Sequence, residues 1–258
     1  IINADNIGGM INDDIGGVVE LRKDDSTLAS GKKISGGAIT VAGNVTANAD
    51  DLASTLGITV KDGKTLTLTG DATTGVLQDN IIGGKGTVSV TGTIDADVKD
   101  KSINAAIMNI ADGAKLKIAA DKMLIGEDMT NFVTNAGTLE LTDGALSANI
   151  AGEGETQING AVTSAKTITQ DTVLINSGAS LTTDAANLSI TDAITNKATN
   201  GLVLTGTVDN TGAGTGAFTA KVTGEGGSVQ IGNGAIDAII AAITDGATIN
   251  QDIYISTA

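Results

Sequence analysis

The chain has 258 residues, with 15 Lys and Arg against 30 Asp and Glu, a formal net charge of −15, and no Pro, Cys, His or Trp. Such a chain has no disulfide, no Cys nucleophile, no Ser-His-Asp triad and no His-ligated metal. With Arg22 as its single arginine, it also lacks the basic footprint that nucleic acid or an anionic membrane surface requires.

Hydrophobic residues make up 41% of the chain, but only two Phe and one Tyr are among them. The core must therefore be built from Ile, Val, Leu and Ala, which suit narrow stacked interiors better than a round one. No apolar run is long enough for a membrane-spanning helix, and no signal peptide is visible. The chain begins at Ile1 rather than Met, which reads as a processed or excised chain and is compatible with export.

In chain order, the apolar stretch Ile1 to Ile11 comes first. It reads either as a cap or as a strand that adds to a neighbouring molecule. A loosely repeated phrase follows: "GKTLTLTGD" from Gly63, "KGTVSVTGT" from Lys85, "AGTLELTDG" from Ala136, "NGLVLTGTV" from Asn200 and "GGSVQIGNG" from Gly226. Each has apolar residues at period two, at Leu66/Leu68, Val88/Val90, Leu139/Leu141, Leu202/Leu204 and Val229/Ile231, and Leu116/Ile118 adds a further pair; this is the pattern of a half-buried strand. Asp-Gly and Asn-Gly pairs such as Asp62-Gly63, Asp112-Gly113 and Asn200-Gly201 flank the strands and supply the conformations that tight corners need.

Anchored on its first inward residue, the series runs Val19, Ile39, Leu66, Val88, Leu116, Leu139, Val162, Leu181, Leu202, Val229, Ile253, with steps averaging about 23 residues. A period of this kind predicts an all-β parallel β-solenoid of about eleven coils, in which each coil buries its apolar side only by stacking. The competing reading is a β-sandwich with hairpins at Asn-Gly. The missing aromatics, the missing Pro and the recurring phrase favour the solenoid.

Two segments break the strand rhythm. Ile103 to Gly113 carries Ile103, Ile107 and Ile110 at helical spacing, and Gly234 to Gly246 carries Ile236, Ile239, Ile240 and Ile243. The plain reading is Ile-rich buried β structure. The sharper one is short helices capping the open ends of the rod. Residues 1–15 then form an N-terminal cap or assembly segment, 16–246 the solenoid, and 247–258 a C-terminal strand, cap or assembly segment.

Little in the sequence suggests catalysis, and no enzyme is expected. The adjacent pairs Asp13/Asp14, Asp24/Asp25 and Asp50/Asp51 are poor couples for glycoside cleavage, because neighbours on a strand point to opposite faces. Calcium is the better question, with Asp95, Asp97 and Asp100 as candidate ligands. Against it stands the reading of solvated acidic turns, and no EF-hand or calcium nonapeptide spacing is present. The Gly-rich runs at Gly212 to Gly216 and Gly224 to Gly227 lack a phosphate-binding Lys and read as corners. Outward rows such as Thr65/Thr67/Thr69 raise ice binding, but Leu116-Lys117-Ile118 and Leu139-Glu140-Leu141 read as interruptions of the row.

The G-T-L-x-L-T phrases, Asn-Gly corners, Thr and Ala richness, absent Cys and acidic balance resemble passenger domains of bacterial autotransporters. Filamentous haemagglutinin-like secreted adhesins share this look. The resemblance runs from Gly16 to Ala258 and implies a right-handed parallel β-helix displayed outside the cell. The membrane barrel of that family, with its aromatic girdles, is not in this chain.

The expected function is an extracellular structural protein of a bacterial surface that self-assembles into a layer, sheath or filament, with no cofactor beyond calcium. Its partners are copies of itself or a surface receptor. Ile1, Ile2, Ile7, Ile253, Tyr254 and Ile255 are the candidate assembly residues, since strand edges at rod ends are templates for addition. The runner-up is an adhesin passenger that binds host or neighbouring cells along one face, and a polysaccharide-acting β-helix enzyme is a minor alternative.

Overall fold

The computed structural model describes residues 6–7, 11–126, 132–205, 220–232 and 252–256. Every strand pairing in it is parallel, and each strand lies against the one about 20 residues earlier or later. The chain is a β-solenoid, as the period-two phrases predict.

Three faces surround the core. The first holds Ile11–Leu21, Ile34–Val41, Ile58–Val60, Ile81–Ile82, Ile103–Ala105 and Met123–Ile125. Higher in the rod a six-stranded sheet, Gly144–Leu146 through Asp252–Ser256, follows from the turn Ala120–Lys122, where Ala120 N–H donates to Asp143 O. The second face runs from Asn6–Ile7 through Ser26–Leu28, Val45–Asn48, Thr65–Thr69, Thr87–Val90, Ile107–Ile110, Phe132–Asn135 and Asn149–Ala151. The third begins at Thr93–Asp95 and continues through Lys115–Ile118, Thr138–Leu141 and Glu155–Ile158. Strands Ile168–Ile175 and Leu188–Asn196 turn the corner from second face to third without breaking, by a register shift between Gln170 and Thr172.

Inward residues stack in columns. On the second face Val45, Leu66, Val88, Met108, Val133, Ile150, Ile168 and Leu188 are successive register partners. All are buried, and among the residues whose burial is described the hydrophobic core is Ile, Val, Leu, Ala and Met, without an aromatic side chain. Branched aliphatic side chains fill such a narrow layer because each packs on its counterpart about 4.8 Å above and below.

Corner side chains extend the ladder. Asp24 accepts from Asn44 N–H at 2.8 Å, Asn44 accepts from Thr65 N–H at 3.1 Å, and Asn80 accepts from Ser102 N–H at 2.8 Å. Asp143 and Asn149 do the same for Ala161 and Thr167. Each satisfies a backbone donor that the bend removes from the sheet.

The structure makes two corrections. The rod has about nine turns rather than eleven. The eleven anchors do not belong to one ladder: Val19 and Ile39 lie on the first face, Leu66 and Val88 on the second, and Leu116 and Leu139 on the third. At Ile103 to Ile110 the plain reading of Ile-rich β structure holds and the helical alternative does not, with a corner at Ala106 between two strands. Ile103 and Ile110 point inward, whereas Ile107 is 43% exposed. The segment Gly234 to Gly246 lies outside the described residues. The strand Ile11–Leu21 runs across the expected boundary at residue 15.

Candidate functional site

The acidic candidates sit where the third face turns toward the first. Asp95 is the last residue of Thr93–Asp95, and its Oδ1 accepts from the backbone N–H groups of Asp97 and Val98, both at 3.0 Å. This is an Asx turn that fixes the corner. Lys117, the register partner of Asp95 one coil on, reaches back to both carboxylates, with Nζ 3.7 Å from Asp95 and 3.3 Å from Asp97. Asp97 also accepts from Thr142 Oγ1 at 2.9 Å. Burial alone would lower the Lys117 pKa. The hydrogen bond to Asp97 and the charges of Asp95, Asp97 and Glu140 outweigh it and hold the ammonium above the ordinary lysine value.

Asp100 is not part of this cluster. It adopts a left-handed φ of 51°, its side chain is 77% exposed, and Lys122 pairs with it at 3.4 Å. The three aspartates are therefore not brought together as one carboxylate set, and among the described residues no group of three or more acidic side chains converges as a cation site.

The other acidic pairs separate in the same way. Asp50 pairs with Lys33 and accepts from Gln78, while Asp51 accepts from Gly31 N–H. Asp24 pairs with Lys64, two coils on, and Asp25 takes a left-handed φ of 58°. The side chains of Asp13 and Asp14 lie outside the description. Asp71 is brought down to about 2, first by the Thr73 hydroxyl and then by the N–H groups of Thr73 and Thr74. Its Oδ1 is locked in a turn.

Of the assembly candidates, Ile1 and Ile2 lie outside the described residues. Ile7 pairs with Leu28 in the second-face ladder. Ile253, Tyr254 and Ile255 pair with Val229, Gln230 and Ile231 in the last strand of the upper first-face ladder.

Sequence reasoning missed three features. The first is the outward column of the second face, where Thr27, Thr46, Thr67, Ser89, Asn109, Thr134, Ala151, Thr169 and Ser189 are successive register partners. No member is charged. Leu116-Lys117-Ile118 and Leu139-Glu140-Leu141, expected to interrupt the threonine rows, lie on the third face. The rows are therefore not broken by them, and that expectation is corrected.

The second is a buried amide cluster at the corner between second and third faces. Asn135 Nδ2 donates to Glu155 O at 3.0 Å and to Gln170 Oε1 at 2.6 Å, while Gln170 Nε2 donates to Gly152 O at 3.0 Å. The third is the exposed apolar set Val18, Leu56, Ile82 and Leu124 on the lower first face and its rim. The strand phrase hides all three, because each depends on which residue lies one coil away.

No family model, curated protein or solved structure matches this chain. Function must be read from the chain alone.

Proposed function

We propose that this chain is an exported structural protein of a bacterial surface, a rod that joins copies of itself into a layer, sheath or filament. The observation that supports it best is the state of the ladder edges. Among the described residues, Asn6–Ile7 pairs only with Ser26–Leu28, and Asp252–Ser256 only with Ser228–Gly232. Among the described residues, each leaves one row of backbone donors and acceptors without a partner. A parallel edge of this kind is a template for a further strand.

Negative-stain electron microscopy of the purified chain tests the reading, with Ile255→Pro as the variant that removes a donor on the free side of the last strand, since donors alternate between the two sides of a parallel strand. Filaments or sheets that Ile255→Pro abolishes, with far-UV circular dichroism unchanged, are the expected result. Isolated rods from the wild type at every concentration would defeat it. Calcium belongs in one arm. Lysines already hold Asp95, Asp97 and Asp100, so assembly is expected to be the same with and without it. A calcium requirement would return those three residues to a functional role.

The second reading is an adhesin passenger, and the exposed Val18, Leu56, Ile82 and Leu124 along the lower first face favour it, since exposed apolar side chains offer contact area to a partner. Monomeric rods that bind cells, with binding lost in Ile82→Glu, would support that reading over assembly.

A further inference from the structure

We infer that the second face is a lateral contact between two copies of the rod, packed face to face; this rests on the self-assembly reading and names the surface it uses. Three observations carry it.

The first is charge. The chain has a net charge of −15, so two copies repel unless they meet where charge is absent. The column from Thr27 to Ser189 spans nine side chains without one acid or base. Charge collects instead at the rims and on the third face. Lys64 pairs with Asp24 and Lys33 with Asp50 at the corners of the second face, and Asp95, Lys117 and Glu140 are register partners on the third.

The second is geometry. The strands of the second face are parallel and in register, with no shift between Ser26–Leu28 and Asn149–Ala151. Two such faces share the same spacing of about 4.8 Å, so the side chains of one fit between the rows of the other along the whole length. Small Thr, Ser and Ala side chains permit close sheet-on-sheet approach. The threonine hydroxyls find partners in the opposing row or in trapped water.

The third is area. Nine side chains in the column span eight intervals, about 38 Å, and an outward strip about 13 Å wide, four residues of strand, presents about 500 Å² per copy, or about 1,000 Å² in total. That meets the roughly 1,000 Å² that a specific interface needs, at the weak end of such contacts. A symmetric pair in which both copies use the same patch is the commonest closed arrangement.

The test is sedimentation velocity on the whole chain across a concentration series, at 0.01 M and 0.15 M salt. The wild type is expected to dimerise, and more tightly at the higher salt, because the screening length falls from about 30 Å to about 8 Å and the corner carboxylates repel less. The triple variant Thr67→Glu, Asn109→Glu, Thr169→Glu places new charges on coils that are not adjacent, which spares the fold. It is expected to weaken association at least about tenfold. The matching lysine triple at the same positions must weaken it as well, because a desolvated face rejects either sign. A control on the upper first face, Ala145→Glu, Thr182→Glu, Gln230→Glu, also on coils that are not adjacent, leaves association unchanged.

Circular dichroism confirms that each variant folds. Assembly that survives both second-face triples would overturn this inference while leaving self-assembly through the ladder edges standing. A wild type that stays monomeric throughout would overturn both. Thermal hysteresis in a monomeric wild type, lost in the lysine triple, would reassign the face to ice. Retention on an insoluble neutral polysaccharide, lost in the same way, would reassign it to a glycan.

Discussion

Gly86 and Gly113 separate two reasons for a glycine, and replacing each by Ala measures them independently. At Gly86 a Cβ would lie 2.5 Å from Lys61 O, 2.5 Å from Val60 Cγ1 and 2.8 Å from Lys64 O, with φ outside the left-handed region. At Gly113 φ is +72° and nothing lies within 4 Å of the added atom. The first substitution pays only for crowding, the second only for conformation. Backbone oxygens belong to the ladder and cannot rotate away. Thr87 N–H donates to Lys64 O at 2.8 Å and Gly86 N–H to Val60 O at 3.3 Å, so relief at Gly86 must stretch both.

Overpacking of this kind costs about 1 to 3 kcal/mol, and a weakened ladder hydrogen bond adds about 1, giving about 3 kcal/mol for Gly86→Ala. A left-handed Ala costs about 1 to 2 kcal/mol. At about 2 to 4 °C per kcal/mol for a chain of this size, Gly86→Ala should melt about 6 to 12 °C below wild type and Gly113→Ala about 2 to 8 °C below. Gly113→Asn, which tolerates the left-handed region, should recover most of the smaller loss, and Gly86→Asn none of the larger. Thermal melts by circular dichroism read all four. Equal losses at the two positions, or recovery by Asn at Gly86, would refute the claim that coil-to-coil approach fixes that glycine.

Leu116→Ala removes a fully buried side chain from the third-face column and should cost about 2 to 5 kcal/mol, read by chemical denaturation. Asn135→Leu leaves Gln170 Oε1 and Glu155 O without the Asn135 amide donor and should cost about 1 to 3 kcal/mol; a double-mutant cycle with Gln170→Leu should show coupling of about 0.5 kcal/mol or more. The pKa of Asp71 is lowered in the fold to about 2. Its contribution is therefore present above the unfolded value and lost as pH falls through the folded one, and Asp71→Asn should flatten the acid limb of stability between about pH 4 and pH 2. The Lys117 pKa is raised, so its contribution is complete below the unfolded value and lost as pH climbs through the folded one. Lys117→Met should remove that alkaline loss, measured above about pH 10.

The fold class was legible because a half-buried strand must alternate and a corner must use residues that bend. Leu66/Leu68 and Val88/Val90 met the first condition, and Asp62-Gly63 and Asp112-Gly113 the second. Registration was not legible. A step of 27 residues, as from Ile39 to Leu66, is one turn plus part of the next, and nothing local to those residues distinguishes it from one long turn. Ile103, Ile107 and Ile110 misled for a related reason. A corner at Ala106 resets strand parity, so two short strands imitated the spacing of one helix. The acidic trio was visible as charge, but what those carboxylates do was not. Lys117 lies about 20 residues from its partners, and only the register between Asp95 and Lys117 brings them together.

The same logic explains why the chain repeats itself with no fixed wording. Asn135 and Asn196 end inward columns at corners where the second and third faces meet or the third face ends, and both are fully buried. Asn135 Nδ2 donates to Glu155 O and Asn196 Nδ2 to Ser228 O, each time reaching the next coil. Directly above each stands a glycine in the left-handed half of φ, Gly152 at +128° and Gly224 at +130°, with no room for a Cβ against the asparagine backbone. The sequences around them, "FVTNAG" with "AGEGET" and "AITNKA" with "TGEGGS", share little beyond Thr-Asn and Gly-Glu-Gly. What recurs is a contact between coils, a buried amide under a bare backbone. Such a contact asks for an amide on one coil and a bare backbone on the next, and it places no demand on the rest of the phrase.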